Sequence, residues 1–280
     1  MPAARVSDLY RTAFVTGAST GLGRAFTVML LNDGVRVWGT SRELARLDQF
    51  AAQPAFKPLF TPVALDLRNG AHAEAVFREA EADAGGFDLV VNNAGYGVFA
   101  DFAAADFSIW QTQLEVMLVN TARLTHAALR GLLARNHGAL VNISSLAAEF
   151  PLPFQSAYNM TKAGLSALNE SLMIETARTG VVIIDFRPGD YRTDFEGAVQ
   201  RPVAAESPRL ERAWAAFTAM MHSGPPPAHA ANALRRALLR HRSGTVRTGR
   251  FFQAVVAPFL ARFGSLAVRR GIQAKYFHVD

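Results

Sequence analysis

Six short apolar runs rich in β-branched and aromatic residues alternate with longer segments whose apolar residues recur at helical spacing. The runs are Thr12 to Thr16, Val35 to Thr40, Phe60 to Leu65, Asp88 to Asn92, Gly138 to Ile143 and Val181 to Phe186. A short continuous apolar run suits a strand covered on both faces. Strands separated by helices pair in parallel, because a parallel connection needs a crossover of many residues. The alternation therefore predicts an α/β fold: a Rossmann-type, doubly wound parallel sheet with helices on both faces. The helical segments are Leu22 to Asn32, Arg42 to Ala52, Ala71 to Ala84, Asp106 to Arg135 and Gln155 to Thr179, and Pro188-Gly189 closes the sixth unit. Beyond it, Arg201-Pro202, Ser207-Pro208 and Gly224-Pro225-Pro226-Pro227 break the pattern, so residues 190–226 are expected to form a helical lid over the substrate. Ala228 to Arg240 reads as a further helix and Thr245 to Thr248 as a last strand. A chain of 280 residues, 50% of them hydrophobic, is expected to form a single domain over 1–280, with 250–280 as an amphipathic C-terminal extension.

Composition narrows the chemistry. The chain has no Cys, which excludes disulfides and thiolate metal sites. Residues 1–11 contain no signal-peptide core, and no apolar run approaches the roughly 18 residues of a membrane-spanning helix, so a cytoplasmic location is expected. His126, His137, His222, His229 and His241 lack metal-ligand spacing, which leaves them surface or capping roles and predicts no metal. The net charge of +6 is unevenly placed: residues 196–280 carry twelve Arg and one Lys against four acids, a balance of +9, whereas residues 1–195 carry −3. That basic part suits phosphates of a cofactor or thioester substrate, an anionic membrane surface, or a merely solvated Arg-rich face. The group Arg235, Arg236, Arg240 and Arg242 has no nucleic-acid motif beside it, so no nucleic-acid partner is expected.

Two motifs carry redox chemistry. Thr16-Gly17-Ala18-Ser19-Thr20-Gly21-Leu22-Gly23 follows the first strand and opens the first helix. Its glycines allow backbone to approach a pyrophosphate, while the helix N-terminus offers unpaired N–H groups and a positive dipole end. Tyr158 and Lys162 lie at i and i+4 of a predicted helix, where an ammonium favours a phenolate, and Ser145 stands thirteen residues upstream.

In the spacing of its glycines and the order of these motifs the chain resembles the short-chain dehydrogenase/reductase family, classical type, over residues 12 to about 195. Asn92-Asn93-Ala94-Gly95 is similar to the family's NNAG motif, and Pro188-Gly189-Asp190-Tyr191-Arg192-Thr193 to its PGxxxT pattern. The resemblance implies a catalytic tetrad of Asn120, Ser145, Tyr158 and Lys162. Tyr158 would be the proton donor in reduction and acceptor in oxidation, Ser145 would polarise the substrate oxygen, Lys162 would assist Tyr158 and bond the nicotinamide ribose, and Asn120 would position Lys162 through water. Ser144 competes with Ser145, but the thirteen-residue spacing favours Ser145. Cofactor contacts are implied for Gly17, Ser19, Thr20, Gly21, Leu22, Gly23, Asp66, Leu67, Asn93, Ala94, Gly95, Pro188, Gly189 and Thr193. Asp190-Tyr191 departs from the family's apolar choice and suggests a more polar pocket floor.

The end of the second strand reads Gly39-Thr40-Ser41-Arg42, with a hydroxyl and a guanidinium where an acid would accept hydrogen bonds from a ribose 2′-hydroxyl. Ser41 and Arg42 therefore favour NADP(H) over NAD. The expected reaction interconverts a secondary alcohol and a ketone, or reduces an aldehyde. Phe99, Phe102, Leu146, Leu152, Phe154, Tyr191, Trp214, Phe217 and Met220 suggest a hydrophobic small-molecule substrate. A 3-oxoacyl-thioester reductase is the alternative within the class, and a non-catalytic dinucleotide sensor the alternative outside it. The stripe Phe251, Phe252, Val255, Val256, Phe259, Leu260, Phe263 and Leu266 beside Arg250, Arg262, Arg269 and Arg270 is expected to pack within the domain or in a homo-oligomer (dimer or tetramer), with peripheral membrane contact as the second reading.

Overall fold

The structure is a computed structural model that describes residues 4–202, 207–261 and 263–279; Val203 to Glu206 of the expected lid and Arg262 of the C-terminal stripe lie outside the described residues. In chain order the strands are β1 (Thr12–Val15), β2 (Arg36–Ser41), β3 (Phe60–Ala64), β4 (Leu89–Asn92), β5 (Gly97–Val98), β6 (Gly138–Ile143), β7 (Val181–Pro188), β8 (Val199–Gln200) and β9 (Gly244–Thr248). Seven of them form one sheet in the order β3-β2-β1-β4-β6-β7-β9, with every pair parallel. The helices are α1 (Gly21–Asn32), α2 (Asp48–Ala51), α3 (Gly70–Ala84), α4 (Phe107–Leu114), α5 (Asn120–Arg135), α6 (Ser156–Glu175), α7 (Pro208–His222), α8 (Pro227–Arg240), α9 (Ala257–Ala261) and α10 (Leu266–Tyr276).

The strand period of two sorts the apolar runs between two cores. Ala13, Val15, Val91, Val141, Ile184 and Phe186 face a core with α1 and α8, where Phe26 meets Phe186 edge-on at 5.6 Å. Phe14, Val90, Leu140, Val181 and Ile183 face the other way, onto α3, α5 and α6, with Phe14 edge-on to Phe77 at 5.0 Å. Each such buried Phe contributes about 1.5–3 kcal/mol. Double coverage explains why the strand sequences are continuous apolar runs. The sheet's carboxyl ends then all open on one side, and the order reverses between β1 and β4, the place where open α/β sheets bind ligands.

Three segments differ from the reading of the sequence. Arg42 to Ala52 is only a 3₁₀ turn (Leu44–Leu47) followed by the single turn α2, because Leu47 and Phe50 alone are buried there and Pro54 follows. Asp106 to Arg135 is interrupted: α4 and α5 are joined by five residues of π-helix (Glu115–Val119), which turns the helix immediately before Asn120. The lid contains α7 but also β8, which pairs with β5 in a separate two-stranded parallel ribbon. A third cluster unites the lid with the chain's end: Phe99, Leu210, Phe217 and Met221 pack with Phe277 and Val279, and Arg209 donates to the Val279 carbonyl from Nε at 3.0 Å and Nη2 at 2.7 Å.

Candidate active site

The glycine turn is pinned from three sides. Thr40 accepts from the Gly17 amide at its hydroxyl (3.2 Å) and from the Ala18 amide at its carbonyl (2.8 Å). Asn93 donates from Nδ2 to the carbonyls of Thr16 (3.0 Å) and Gly17 (3.3 Å), and the Thr16 hydroxyl accepts from the amides of Asn93 and Ala94. Asn93 therefore braces the turn. A methyl at Gly23 would meet the Gly17 carbonyl at 2.1 Å and Asn93 Nδ2 at 2.4 Å, which no side chain can do, so this glycine is required for close approach. The N-terminus of α1 is aimed into the cavity, and its cap residue Thr20 leaves its own hydroxyl out of the capping bonds. Thr193 stands over this turn, its Cβ 3.5 Å from the site of a Gly21 Cβ.

A cavity of about 790 Å³ runs from this turn along the carboxyl ends of the strands, within the ~300–1,000 Å³ range of ligand pockets. At one end lie Ser41, Arg42, Asp66, Leu67 and Arg68; at the middle Ser19 to Leu22 and Asn93 to Gly95; at the other end Ser145, Tyr158, Lys162, Pro188 and Gly189. The first end is cationic. Glu43 is paired with Arg46 at 3.1 Å and Asp66 with Arg68 at 2.6 Å, whereas Arg42 makes no ion pair among the described residues. The Arg68 guanidinium holds the Asp66 carboxyl below the usual carboxylate range, with Arg42 adding to it. Arg68 was not singled out in the sequence, where an isolated Arg after a strand carries no signal.

Ser145 and Ser144 part at the end of β6. Ser144 donates to the buried Asp185 carboxylate and sits near the Phe186 carbonyl, so its hydroxyl is already engaged. Ser145 caps a short 3₁₀ turn, accepts from the Ala147 amide at 3.0 Å and approaches the Pro188 carbonyl at 3.4 Å. Lys162 Nζ donates to the Ile143 carbonyl at 2.7 Å and lies 5.5 Å from the Tyr158 ring centroid. Burial pushes the Tyr158 phenol up to about 12, against the hydrogen bond from Ser145 and with the help of the Asp190 charge. Burial also brings the Lys162 ammonium down to about 8, with the Asp185 charge opposing. At neutral pH Tyr158 thus keeps its proton and Lys162 its charge.

Asn120 is anchored by its amide: Nδ2 donates to the Leu67 carbonyl at 2.8 Å. A Cβ on Gly70 would fall 1.9 Å from Asn120 Oδ1, so Gly70 makes room for this tie between α5 and the loop after β3. The side chain does not touch Lys162.

Beneath the reactive end lies a polar ladder that sequence reading missed. Asn92, Asn142 and Asp185 occupy matched register positions on β4, β6 and β7. Asn92 Nδ2 donates to Asn142 Oδ1 (2.9 Å), Asn142 Nδ2 to Asn169 Oδ1 (2.6 Å), and Asn169 Nδ2 to Asp185 Oδ1 (3.1 Å). Ser166 donates to Asp185 at 2.6 Å, and Arg187 pairs with Asp185 at 2.7 Å and with Glu149 and Glu170. The available signal was a polar residue near the same carboxyl end of three otherwise apolar strands.

The far wall corrects two expectations. Tyr191 is not the polar floor: it is 1% exposed, with its hydroxyl held between His229 Nδ1 (2.8 Å) and Thr248 Oγ1 (2.7 Å), which also gives His229 a structural role. Asp190 is the polar feature, accepting from Gln253 Nε2 at 2.5 Å, and burial raises its carboxyl above the usual range. Of the aromatic and aliphatic residues expected around substrate, Leu146, Leu152, Tyr191, Phe217 and Met220 line the cavity. Phe99 and Trp214 instead stack edge-on at 5.1 Å within the lid cluster, and Phe102 packs on Trp110. The C-terminal segment, read from sequence as motif-free, supplies Phe252, Gln253, Ile272, Tyr276 and Phe277 to the same cavity.

A family model described as short chain dehydrogenase matches residues 11–203, and the chain belongs to that family. Over 97% of this chain and 98% of the other, the structure matches a short-chain dehydrogenase from Streptomyces avermitilis with a TM-score of 0.81 at 28% identity. A short chain dehydrogenase of Pseudocercospora fijiensis is 33% identical over 210 residues, 72% of this chain and 67% of that protein. A short chain dehydrogenase/reductase of Burkholderia phymatum, solved in complex with NAD, shares the fold at a TM-score of 0.78 and 21% identity, over 91% and 92% of the two chains. The chain is therefore an oxidoreductase of a family that binds nicotinamide dinucleotides.

Proposed function

We propose that the protein is an NADP(H)-dependent oxidoreductase that interconverts a secondary alcohol and a ketone, or reduces an aldehyde, on a hydrophobic small molecule. The observation that carries this reading is the single cavity with Ser145, Tyr158 and Lys162 at one end and an unpaired Arg42 at the other. The residues fit a dinucleotide: an open helix N-terminus with a free Thr20 hydroxyl suits the pyrophosphate, and Arg42 suits a 2′-phosphate because both neighbouring carboxylates already have arginine partners. When bound, the reduced nicotinamide supplies the hydride.

The chain's own groups do the rest. Ser145 donates a hydrogen bond to the substrate oxygen as negative charge develops there. Tyr158 gives its proton at Oη to that oxygen in reduction and takes it back in oxidation. Lys162, anchored on the Ile143 carbonyl, places a positive charge beside the phenolate left behind. Gly17, Gly21, Leu22, Gly23, Asn93, Ala94, Gly95, Pro188, Gly189 and Thr193 shape the cofactor wall. Leu146, Leu152, Phe217 and Met220 give the substrate end its apolar surface, with Asp190 and Gln253 as one polar anchor.

The test is a reductase screen that follows NADPH and NADH absorbance with ketones, aldehydes and acyl thioesters. Turnover of apolar ketones or aldehydes with NADPH is the expected result. Preference for NADH, or turnover of acyl thioesters alone, would displace this reading.

A further inference from the structure

Of the seventeen large apolar side chains exposed among the described residues, ten lie between Phe251 and Tyr276. They make one continuous uncovered segment: Phe251, Phe259, Phe263 and Ile272 are 73%, 59%, 76% and 62% exposed, and neither α9 nor α10 has a buried residue. The expected packing of this stripe within the domain is therefore not what the chain does. Its own domain holds the segment by a few ties: Phe277 and Val279 pack on the lid, Arg269 Nη2 donates to the Glu149 carbonyl at 2.7 Å, Gln273 Nε2 to the Pro151 carbonyl at 2.9 Å, Gln253 Nε2 to Asp190, and Arg250 to the Ser223 carbonyl.

We propose that residues 250–279 dock the protein on an anionic lipid surface. Between Arg250 and Val279 the sequence has five cationic residues, Arg250, Arg262, Arg269, Arg270 and Lys275, and no Asp or Glu. Phenylalanines interspersed with cations match the boundary between acyl chains and anionic headgroups, where apolar burial and charge attraction act together. A second copy of the chain fits this face less well. A twofold interface sets the same patch against itself, and a patch whose described charged residues are the four cations Arg250, Arg269, Arg270 and Lys275 meets like charge. No helix is long and apolar enough to cross a membrane among the described residues, so the segment lies on the surface. The face also runs into the rim of the catalytic cavity, because Phe252, Ile272 and Tyr276 are exposed and line that cavity as well. Delivery of substrate from lipid rests on the hydrophobic-substrate reading above; docking itself does not.

The experiment is co-sedimentation of the full chain with phosphatidylcholine vesicles and with phosphatidylcholine/phosphatidylglycerol vesicles, at low and high salt, beside light scattering for mass. Binding to the anionic vesicles, weakened by salt, is expected. The double variant Phe259→Ser/Phe263→Ser should lose roughly tenfold or more of its partitioning, while NADPH affinity and turnover of a water-soluble carbonyl compound stay at the wild-type level. If that variant does not fold, Arg270→Glu, at an exposed position, should show a several-fold loss on anionic vesicles alone. The proposal is overturned if wild type ignores both vesicle types, or if the variants bind like wild type. It is equally overturned by a stable dimer that ignores vesicles and dissociates on the Phe substitutions, which would assign the face to a second copy.

Discussion

The sheet with its flanking helices, α8 and β9 included, and the lid with the C-terminal segment solve different physical problems. In the first, β1, β4, β6 and β7 are buried on both faces, and polar groups of β4, β6 and β7 join in a hydrogen-bonded chain from Asn92 through Asn142 and Asn169 to Asp185. In the second, α7 and the chain's end are held by a small satellite cluster and two bonds from Arg209, and α9 and α10 remain uncovered. Yet both regions line one cavity. The comparison teaches that the candidate reacting groups stand at the end of β6 and on α6, packed against the sheet, while the lid and C-terminal wall are fastened by a small cluster of their own.

The sharpest way to break this division is Tyr158→Phe, which keeps ring volume and removes the proton. Turnover should fall by about 10²–10⁴-fold or more with folding and NADPH binding preserved. Near-normal steady-state rates would move the acid out of the sheet region altogether.

Asp185→Ala tests whether the ladder holds that region. It leaves Arg187 with Glu149 and Glu170 but removes its fully buried partner, so denaturant unfolding should show a loss of about 3 kcal/mol. A change within a few tenths would mean the ladder is decorative.

Arg42→Ala should cost about 1.5–3 kcal/mol of NADPH binding, roughly 10- to 150-fold, with NADH affinity little changed. Titration of both dinucleotides measures it. An undiminished NADPH preference would pass the role to Arg46 or Arg68.

The pH profile gives a smaller, graded effect. Lys162 carries its charge below about 8 and loses it above, so kcat/KM for reduction should fall about tenfold per pH unit beyond that point. A limb that stays flat to about pH 10, the range of an unperturbed lysine, would show that burial does not set this group.

Phe277→Ala is the mildest and probes the other region. By loosening the lid cluster it should raise KM by about threefold to tenfold and leave NADPH affinity and the main unfolding transition in place. A collapse of global stability would mean that the two regions form one cooperative unit.

Much was legible in the chain alone because it is local. The continuous apolar runs and the helical period between them determine the alternation of strands and crossovers along the chain. The run from Thr16 to Gly23 determines a tight turn into a helix, and the Tyr158–Lys162 spacing places both on one helix. What only the tertiary structure decided depends on groups that sequence keeps far apart. Ser144 is tied to Asp185, 41 residues away, a contact that adds to the spacing argument for Ser145 and could not be read from the chain. Asn120 is drawn to Leu67 across 53 residues, and Tyr191 is turned into the core by His229 and Thr248. Asp66 meets its arginine within two residues, but that this leaves Arg42 free follows only from the rim they share. The C-terminal wall of the cavity was invisible for the same reason: Phe252, Ile272 and Tyr276 repeat at intervals that suit any amphipathic segment, and the surface they meet is set by where the sheet ends, not by their own spacing.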